Sequence, residues 1–450
     1  MERYERYKDS GVKWIGEIPS HWEVVRLKSV IKDSQSGVWG EDPKHDGSDT
    51  LCLRVADFNY NNGYLKEDNL TYRNYGKELS SNKQLQMRDL LLEKSGGGDL
   101  YPVGRVVRYN FNGIVATCSN FIQKLTPRDN VDSDFIYYLF RTMYYLKVNG
   151  LYYNQTTGIQ NLKVKEYLSQ TVFLPPLSEQ QAIANYLDTA TAKIDEAIAQ
   201  QQKMIDLLNE RKQIIINNAV TKGLNPDAPM KDSGVDWIGE IPEHWEINKF
   251  RNLFKTRTGI TFTKAQLEEE GEPVISYGQI HSKENWGASV NPVLIRHIPA
   301  SLTKGKESAL AFKGDFLFAD TSEDFEGCGN CVCIDTPEPI YAGYHTILAK
   351  RDNDEHKQYL AYLFASSNWR GQLRSMVNGV KVYSVTQSLL RAVIVLLPPK
   401  SEQIEIAEYI TKRVVLIDAA IKRHTDRIKL LQERKQIIIN EVVTGKVKVC

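Results

Sequence analysis

The chain has 450 residues, with 57 Lys and Arg against 56 Asp and Glu, so its formal net charge at pH 7 is +1. Hydrophobic residues make up 42%, which is ordinary for a globular protein, and no run of about 18 apolar residues occurs that would predict a membrane-spanning helix. The near-zero charge excludes a uniformly basic surface, although basic residues clustered on one face would still suit a polyanionic partner.

The N-terminus is rich in Glu, Arg, Tyr and Lys, unlike a secretory signal. Six cysteines at irregular spacing are typical of a reducing compartment, so we expect a cytoplasmic protein. Cys328, Cys331 and Cys333 form a tight cluster, but a fourth ligand for zinc is not evident nearby. The cluster is therefore interpreted as partly buried thiols, with no metal site expected, although its role stays open.

The sequence contains an internal repeat. The segment from Trp14 to Glu23 returns as Trp237 to Glu246, a shift of 223 residues. The same shift relates Leu174–Gln180 to Leu397–Gln403 and Glu210–Asn217 to Glu433–Asn440. Because the repeat is far longer than solenoid periods of roughly 20–50 residues, it indicates a duplicated domain.

The repeated opening motif contains a histidine in each copy, His21 and His244. Neither copy places an activated Ser or Cys nucleophile in a recognisable setting, and apolar and aromatic residues dominate the motif. We therefore interpret both histidines as structural.

The segments between these anchors, residues 24–173 and 247–396, are barely similar to each other. Short β-like runs alternate with turn residues and helical stretches, which predicts an α+β fold in each half. The expected strands and helices are 103–109, 114–117, 135–146 (helix), 315–319, 346–350 and 359–365 (helix).

Two polar segments in each half are candidates for contact with a nucleic acid. Glycines let a backbone approach a ligand closely, and Gln, Asn and Thr suit base edges and phosphates. The alternative is that these segments are solvated surface loops without a binding function. The candidates are Ser95, Gly96, Gly97, Gly98, Gln155, Thr156, Thr157, Gln160, Asn161 and Lys163 in the first half, and Thr321, Ser322, Lys381, Tyr383, Ser384 and Thr386 in the second.

A long helix is expected after each Leu-Pro-Pro. Ser178 with Gln181 predicts a capping box, Ser401 is the expected cap of the second helix, and Gly223 and Gly445 are expected stops. Each helix of about 44 residues would be roughly 65 Å long. Apolar residues recur at coiled-coil spacing along both helices, and the seam they predict comprises Leu187, Ile194, Ile198, Ile205, Leu208 and Ile215 with Ile410, Ile417, Ile421, Ile428, Leu431 and Ile438.

The connectivity makes such a helix pair antiparallel, with the two middle segments at opposite ends. Gln201 and His424 occupy equivalent polar positions in the predicted seam and would set its register. The alternative is that each helix packs only on its own domain.

The chain lacks recognisable catalytic motifs. An adenine methyltransferase needs an Asp or Asn before its Pro-Pro-aromatic sequence, and Leu174 and Leu397 stand at that place here. No phosphate-binding loop with Lys is present either, so we expect no catalytic residue in this chain.

These residues together resemble the specificity subunits of type I restriction-modification systems. The likeness rests on the Trp-Ile-Gly-Glu-Ile-Pro-x-His-Trp opening, the Leu-Pro-Pro step into a long helix and the Glu-Arg-Lys-Gln-Ile-Ile-Ile close, and spans essentially the whole chain. The resemblance implies two target-recognition domains, each reading one half of a split, asymmetric site in double-stranded DNA, and a spacer of paired helices.

The resemblance also implies partners. Two copies of an adenine methyltransferase subunit would bind the helices, and restriction and translocase subunits would join that complex. S-adenosylmethionine, ATP and magnesium would then act on the partner subunits, with no cofactor in this chain and no membrane association.

We therefore expect an α+β protein in which two target-recognition domains are joined by two long antiparallel helices, a coiled-coil spacer, in an internal repeat of pseudo-two-fold symmetry. The expected segments are the first repeat motif (1–23), target-recognition domain 1 (24–176), spacer helix 1 (177–223), a linker with the second repeat motif (224–246), target-recognition domain 2 (247–399) and spacer helix 2 (400–445).

Two other interpretations remain open from the residues. One is the specificity subunit of a related bipartite-site system with fused nuclease and methylase partners, and the other is a coiled-coil scaffold unrelated to DNA. The helices are expected to act as a ruler, so that whole turns inserted beside Gln201 lengthen the gap between half-sites without changing either half. The target sequence and the exact gap are not predictable from the chain.

Overall fold

The computed structural model describes residues 2–76, 79–156, 158–235, 238–352, 354–377 and 382–449, except for the side chain of Thr156. The chain divides into two compact units. Unit 1 comprises Met1–Lys203 and His424–Cys450, and unit 2 comprises Met204–Arg423. Each unit is α+β, and each contains part of both long helices.

Unit 1 is built on two sheets. A four-stranded antiparallel sheet has the order Val106–Arg108, Leu90–Glu93, Ile122–Pro127 and Ile31–Ser36. In the second sheet, Thr50–Leu53 lies between Ala116–Cys118, to which it is parallel, and Tyr72–Arg73. The helix Ser133–Tyr145 packs its apolar face into the core, and a shorter helix spans Val164–Leu168. The smaller strands are Tyr7–Asp9, Glu17–Pro19, Glu23–Arg26, Phe58–Asn59, Tyr64–Leu65, Ser95–Gly96, Tyr153–Thr156, Ile159–Leu162 and Thr171–Leu174.

Unit 2 repeats this plan with different lengths. Its four-stranded antiparallel sheet has the order Phe254–Thr258, Thr346–Arg351, Phe316–Ala319 and Cys331–Cys333. A second sheet contains another parallel pair, Glu272–Ile275 with Ile340–Ala342, flanked by Arg296–Ile298 and Leu310–Ala311. The helices are Phe250–Leu253, Tyr277–Ile280, Lys357–Ala365, Ser367–Met376 and Gln387–Ala392, and the smaller strands are Met230–Asp232, Glu240–Pro242, Glu246–Lys249, Thr321–Ser322, Tyr383–Ser384 and Ile394–Leu397.

The two long helices span Leu177–Lys222 and Lys400–Val443. Each begins directly after the Pro-Pro pair, so the predicted capping role of Ser178 and Ser401 is wrong: both residues lie within the first turn. The carbonyl oxygens of Pro176 and Pro399 accept the first hydrogen bonds of the two helices, from the N–H groups of Gln180 and Gln403 over 3.0 Å each, and the fixed φ of proline is compatible with a helix start.

The glycines expected to end the long helices lie just past their ends, Gly223 directly after Lys222 and Gly445 two residues after Val443. Gly223 and Gly445 both adopt a φ of +72°, which favours glycine. Close packing also requires glycine at Gly445, because a Cβ there would lie 2.5 Å from Pro19 and 2.9 Å from the ring of Trp22.

The long helices pack against each other in antiparallel fashion. In unit 1, Lys435 Nζ lies 2.6 Å from Asp195 Oδ1 and also donates to the backbone oxygen of Asn61. Also in unit 1, Gln201 Oε1 lies 2.8 Å from His424 Nδ1, so the two residues at equivalent positions of the repeat contact each other.

Unit 2 holds the second copy of the ion pair between the helices. Lys212 Nζ lies 2.8 Å from Asp418 Oδ1, and these residues are the repeat equivalents of Lys435 and Asp195. Of the residues predicted to form the seam, Leu187, Ile410 and Ile417 are buried and the other nine are half-buried.

The repeated opening motif packs on the start of one long helix. In unit 1, Trp22 is fully buried and its indole Nε1 donates to Glu179 Oε2 over 3.0 Å. His21 Nε2 lies 2.6 Å from the other carboxylate oxygen of Glu179. The motif thus joins the N-terminal segment to the first turn of the helix, where a carboxylate is also favoured by the helix dipole.

Unit 2 repeats these contacts residue for residue. Trp245 Nε1 donates to Glu402 over 3.1 Å, and His244 Nε2 lies 2.8 Å from the same carboxylate. This matches the interpretation of both histidines as structural. Asp236 and Trp237 of the second motif lie outside the described residues.

The glutamine that follows each of these glutamates binds the N-terminal cap of a second helix in the same unit. Gln180 Oε1 accepts a hydrogen bond from the backbone N–H of Asp132, the residue that caps the helix Ser133–Tyr145. Gln403 Oε1 accepts from the backbone N–H of His356, which caps Lys357–Ala365. In both units, therefore, the Glu of the repeated Glu-Gln pair joins the long helix to the opening motif, and the Gln joins it to a second helix.

The cysteine cluster belongs to the core of unit 2. Cys328, Cys331 and Cys333 are buried, and burial raises the pKa of both the Cys331 and the Cys333 thiol to about 12. Within the described ranges, no group of three or more His, Cys, Asp or Glu side chains is arranged to hold a metal ion. Cys450 lies outside those ranges. The described helices also include none that is long and apolar enough to cross a membrane.

Candidate nucleic-acid interface

The two polar segments predicted in the first half meet in one small sheet. Ser95 pairs with Asn161 and Gly96 pairs with Gln160 in an antiparallel register. The strand Ile159–Leu162 also pairs with Tyr153–Thr156 on its other side. Residues more than 60 positions apart in sequence thus form one surface, which we call interface 1 (residues 94–98 and 153–163).

The glycines of interface 1 are required by the backbone. Gly96 and Gly97 have φ values of +114° and +58°, and a Cβ on Gly97 would lie 2.8 Å from the amide nitrogen of Val103. The N–H of Gly98 already donates to Tyr101 O, and that of Ser95 donates to Phe121 O. These backbone hydrogen bonds within the protein explain part of the glycine-rich sequence. The N–H groups of Ser95 and Gly98 are therefore not available to bind a phosphate.

The predicted residues of interface 1 differ in exposure. Gln160 is buried, where its Oε1 accepts from Val103 N and its Nε2 donates to Gln155. Asn161 is exposed, and its Oδ1 accepts from Ser95 Oγ over 2.8 Å. The other exposed members are Gly97, Gln155 and Lys163, whereas Ser95, Gly96 and Gly98 are half-buried. Thr157 and the side chain of Thr156 lie outside the described part of the chain.

The second half forms the corresponding surface, interface 2 (residues 320–322 and 382–387). Thr321 pairs with Ser384 and Ser322 pairs with Tyr383. Ser322 is buried and donates to Asp324 O, whereas Ser384 is exposed.

The remaining predicted residues of interface 2 also have local roles. The ring of Tyr383 lies 5.5 Å from that of Phe325 in an edge-on contact. Thr386 is exposed, and its hydroxyl accepts from Leu389 N, which caps the helix Gln387–Ala392. Lys381 lies outside the described residues.

The structure adds residues that sequence reasoning missed. Lys94 directly precedes Ser95 and Asp320 directly precedes Thr321, so both could have been found by extending the predicted segments by one residue. In interface 1, Lys94 Nζ donates to Ser36 Oγ over 2.5 Å, and burial lowers the pKa of this lysine. In interface 2, Asp320 Oδ1 lies 2.8 Å from His345 Nδ1. His345 is 23 residues beyond Ser322, and only the strand pairing brings it there.

A second repeated surface lies on the long helices. Leu207 and Ile214 are exposed on the first helix, and their repeat equivalents Leu430 and Ile437 are exposed on the second. Scattered exposed leucines are common, but this apolar pair, seven residues apart, recurs at the same place in both copies of the repeat.

Comparison with known proteins gives a consistent result. The model of the family described as "Type I restriction modification DNA specificity domain" matches residues 19–205 and 242–430. The chain is 25% identical to the type I restriction enzyme MjaVIII specificity subunit of Methanocaldococcus jannaschii, with 98% of this chain and 97% of the relative covered. It is 23% identical to the EcoKI specificity subunit of Escherichia coli K12, with coverage of 96% and 90%.

A solved structure shares the fold. A chain from a structure described by the complex assembly and conformational transition of the type I restriction-modification system aligns with a TM-score of 0.67 and 15% identity. The alignment covers 96% of this chain and 99% of that one.

Proposed function

Because the chain belongs to the type I restriction-modification DNA specificity family, as a DNA specificity subunit of such a system, we propose that its two units each read one half of a split, asymmetric DNA site. The observation that supports this proposal most directly is the pair of interfaces. They are built on matched strands, Ser95–Gly96 with Ile159–Leu162 and Thr321–Ser322 with Tyr383–Ser384, but they carry different side chains. Matched strands that present different side chains are suited to recognising two half-sites of different sequence.

In this proposal the domains follow the repeat. Residues 24–176 and 247–399 are target-recognition domains 1 and 2, residues 177–223 and 400–445 are the spacer helices, and 1–23 and 224–246 attach each domain to the helices. The exposed residues of the two interfaces contact DNA, whereas buried Gln160 and Ser322 hold the strands that present them.

The partner subunits perform the chemistry in this proposal. Two copies of an adenine methyltransferase subunit bind the spacer helices, and restriction and translocase subunits join them in the cytoplasm. S-adenosylmethionine, ATP and magnesium act on those partners. The repeated apolar surface supports a count of two methyltransferases, because a surface offered twice can bind two copies of one partner.

The DNA-reading proposal is tested by mapping methylated adenine in cells that express the chain with its methyltransferase. We expect a split motif with two different halves, which disappears when the chain is omitted. Methylation of the same sites without the chain would show that the methyltransferase reads DNA alone.

The docking proposal is tested with charge substitutions on the repeated surface. We expect Leu207→Asp or Leu430→Asp to halve the number of methyltransferases bound per chain, and the double variant to bind none. Leu416→Asp is the matched control: Leu416 is exposed on the same helix as Leu430, but its repeat equivalent is Lys193. Mass measurement of the purified complex gives the stoichiometry, and unchanged binding of two copies by the double variant would contradict the proposal.

A further inference from the structure

Backbone hydrogen bonds define the position of Lys94 in unit 1. The N–H of Lys94 donates to Phe121 O over 2.9 Å, which ties the end of Leu90–Glu93 to the residue before its neighbouring strand. The oxygen of Lys94 accepts from the N–H of Leu162 over 2.8 Å, which ties it to interface 1.

Unit 2 repeats both bonds. The N–H of Asp320 donates to His345 O over 3.1 Å, and the oxygen of Asp320 accepts from the N–H of Val385 over 2.8 Å. By this backbone pattern Lys94 is the equivalent of Asp320, and Phe121 is the equivalent of His345.

The side chains at these equivalent positions have opposite chemistry. Lys94 donates to the hydroxyl of Ser36. Asp320 Oδ1 instead accepts from the hydroxyl of Thr321 over 2.7 Å and from His345 Nδ1 over 2.8 Å. A charge reversal on an unchanged backbone is expected where two domains with one fold recognise different sequences.

His345 is held firmly in an unfavourable backbone conformation. Its φ is +54°, a left-handed conformation that is strained for a residue other than glycine. The ring of Tyr277 contacts the imidazole edge-on at 5.5 Å and 77°, and Asp320 fixes one ring nitrogen. Such strain persists where the surroundings enforce it, and it is concentrated at functional sites.

The geometry decides which atom of His345 is left for a ligand. An ionised carboxylate only accepts hydrogen bonds, so Nδ1 facing Asp320 carries a proton. In the neutral imidazole, Nε2 is then an acceptor. The side chain is 39% exposed and lines a pocket of about 240 Å³ together with Thr258, Ser384, Thr386 and Gln387.

We propose that His345 is a specificity-determining residue of unit 2, whose Nε2 accepts a hydrogen bond from the exocyclic amino group of one adenine or cytosine in the half-site. These amino groups are the donors that the major groove presents. Asp320 and Thr321 are positioning residues, which fix the tautomer and orientation of the ring. The inference rests on the proposed function, in which unit 2 reads one half of a split site.

The test compares methylation motifs of variants expressed with the methyltransferase. We expect His345→Ala to weaken the preference at one adenine or cytosine position of one half-site by roughly tenfold, with the gap and the other half unchanged. Asp320→Ala should relax the same position, whereas Asp320→Asn should retain the preference, because its amide oxygen still accepts from Nδ1. His345→Asn tolerates the left-handed backbone and guards against misfolding as the cause.

The matched control lies in unit 1, at the equivalent position. Phe121→Ala should leave the half-site that responds to His345 unaltered. If the wild-type chain directs a split motif but His345→Ala and His345→Asn change no position, the inference is wrong while the proposed function stands. Relaxation of both half-sites by His345→Ala would overturn the assignment of one base to His345, and a wild-type chain that directs no motif would overturn the proposed function itself.

Discussion

At the scale of single residues, the repeated motif is explained by one carboxylate in each unit. Glu179 holds both the indole of Trp22 and the imidazole of His21, and Glu402 does the same for Trp245 and His244. A buried indole N–H without an acceptor is costly, so removal of either carboxylate leaves its tryptophan with an unsatisfied donor.

We expect Glu179→Ala to lower the free energy of unfolding of unit 1 by about 1–3 kcal/mol, because Trp22 loses its buried acceptor. Urea denaturation followed by tryptophan fluorescence measures the effect. Glu196→Ala, at an exposed position of the same helix, is the control and should change stability by less than about 0.5 kcal/mol. Equal stability of the two variants would contradict the structural role of Glu179.

At the scale of elements, an equivalent ion pair joins the two long helices in each repeat, and the two copies differ in burial. Lys435 and Asp195 have side-chain exposures of 6% and 34%, whereas Lys212 and Asp418 have 27% and 50%. Lys435 also donates to Asn61 O, which connects the second long helix to the hairpin loop between Phe58–Asn59 and Tyr64–Leu65.

We expect Lys435→Ala to destabilise the protein by about 1–3 kcal/mol, since the buried ammonium group makes charge-assisted hydrogen bonds to Asp195 and to Asn61 O that the variant loses. Lys212→Ala, its repeat equivalent, should cost less than about 1 kcal/mol, because exposed ion pairs contribute little. Thermal unfolding of the two variants under one buffer condition gives the comparison, and a larger effect at Lys212 would contradict it.

The elements also show how far the sequence could predict the structure. The long helices and the strands near residues 316–319 and 346–351 were predictable because their periodicity is local. The capping role of Ser178 and Ser401 was wrongly predicted, because each helix begins directly after its Pro-Pro pair without a capping side chain at those residues. The segments containing Ser95 and Asn161 were both predicted, but the sequence did not show that they pair in one surface. His345 was missed because only strand pairing brings it next to Asp320.

At the scale of the whole molecule, the repeat separates what is kept from what differs. Helix attachments, ion pairs and exposed apolar positions recur at a shift of 223 residues, whereas the interface side chains do not. This division predicts that spacing and sequence recognition can be changed independently.

We expect seven residues inserted in each long helix, beside Gln201 and beside His424, to lengthen the gap between half-sites by about 3 base pairs. Seven helical residues add about 10 Å, and each base pair adds 3.4 Å. Methylation mapping measures the gap. Altered half-site sequences with an unchanged gap would contradict the role of the helices as a spacer.

The central claim is that one repeated scaffold carries two separate DNA-reading domains. Its most direct test replaces residues 247–399 by a second copy of residues 24–176 and maps adenine methylation with the methyltransferase present. The account predicts a split motif in which both halves are the same half-site and the gap is unchanged. Retention of the original asymmetric motif would show that sequence recognition does not reside in these segments and would contradict the account.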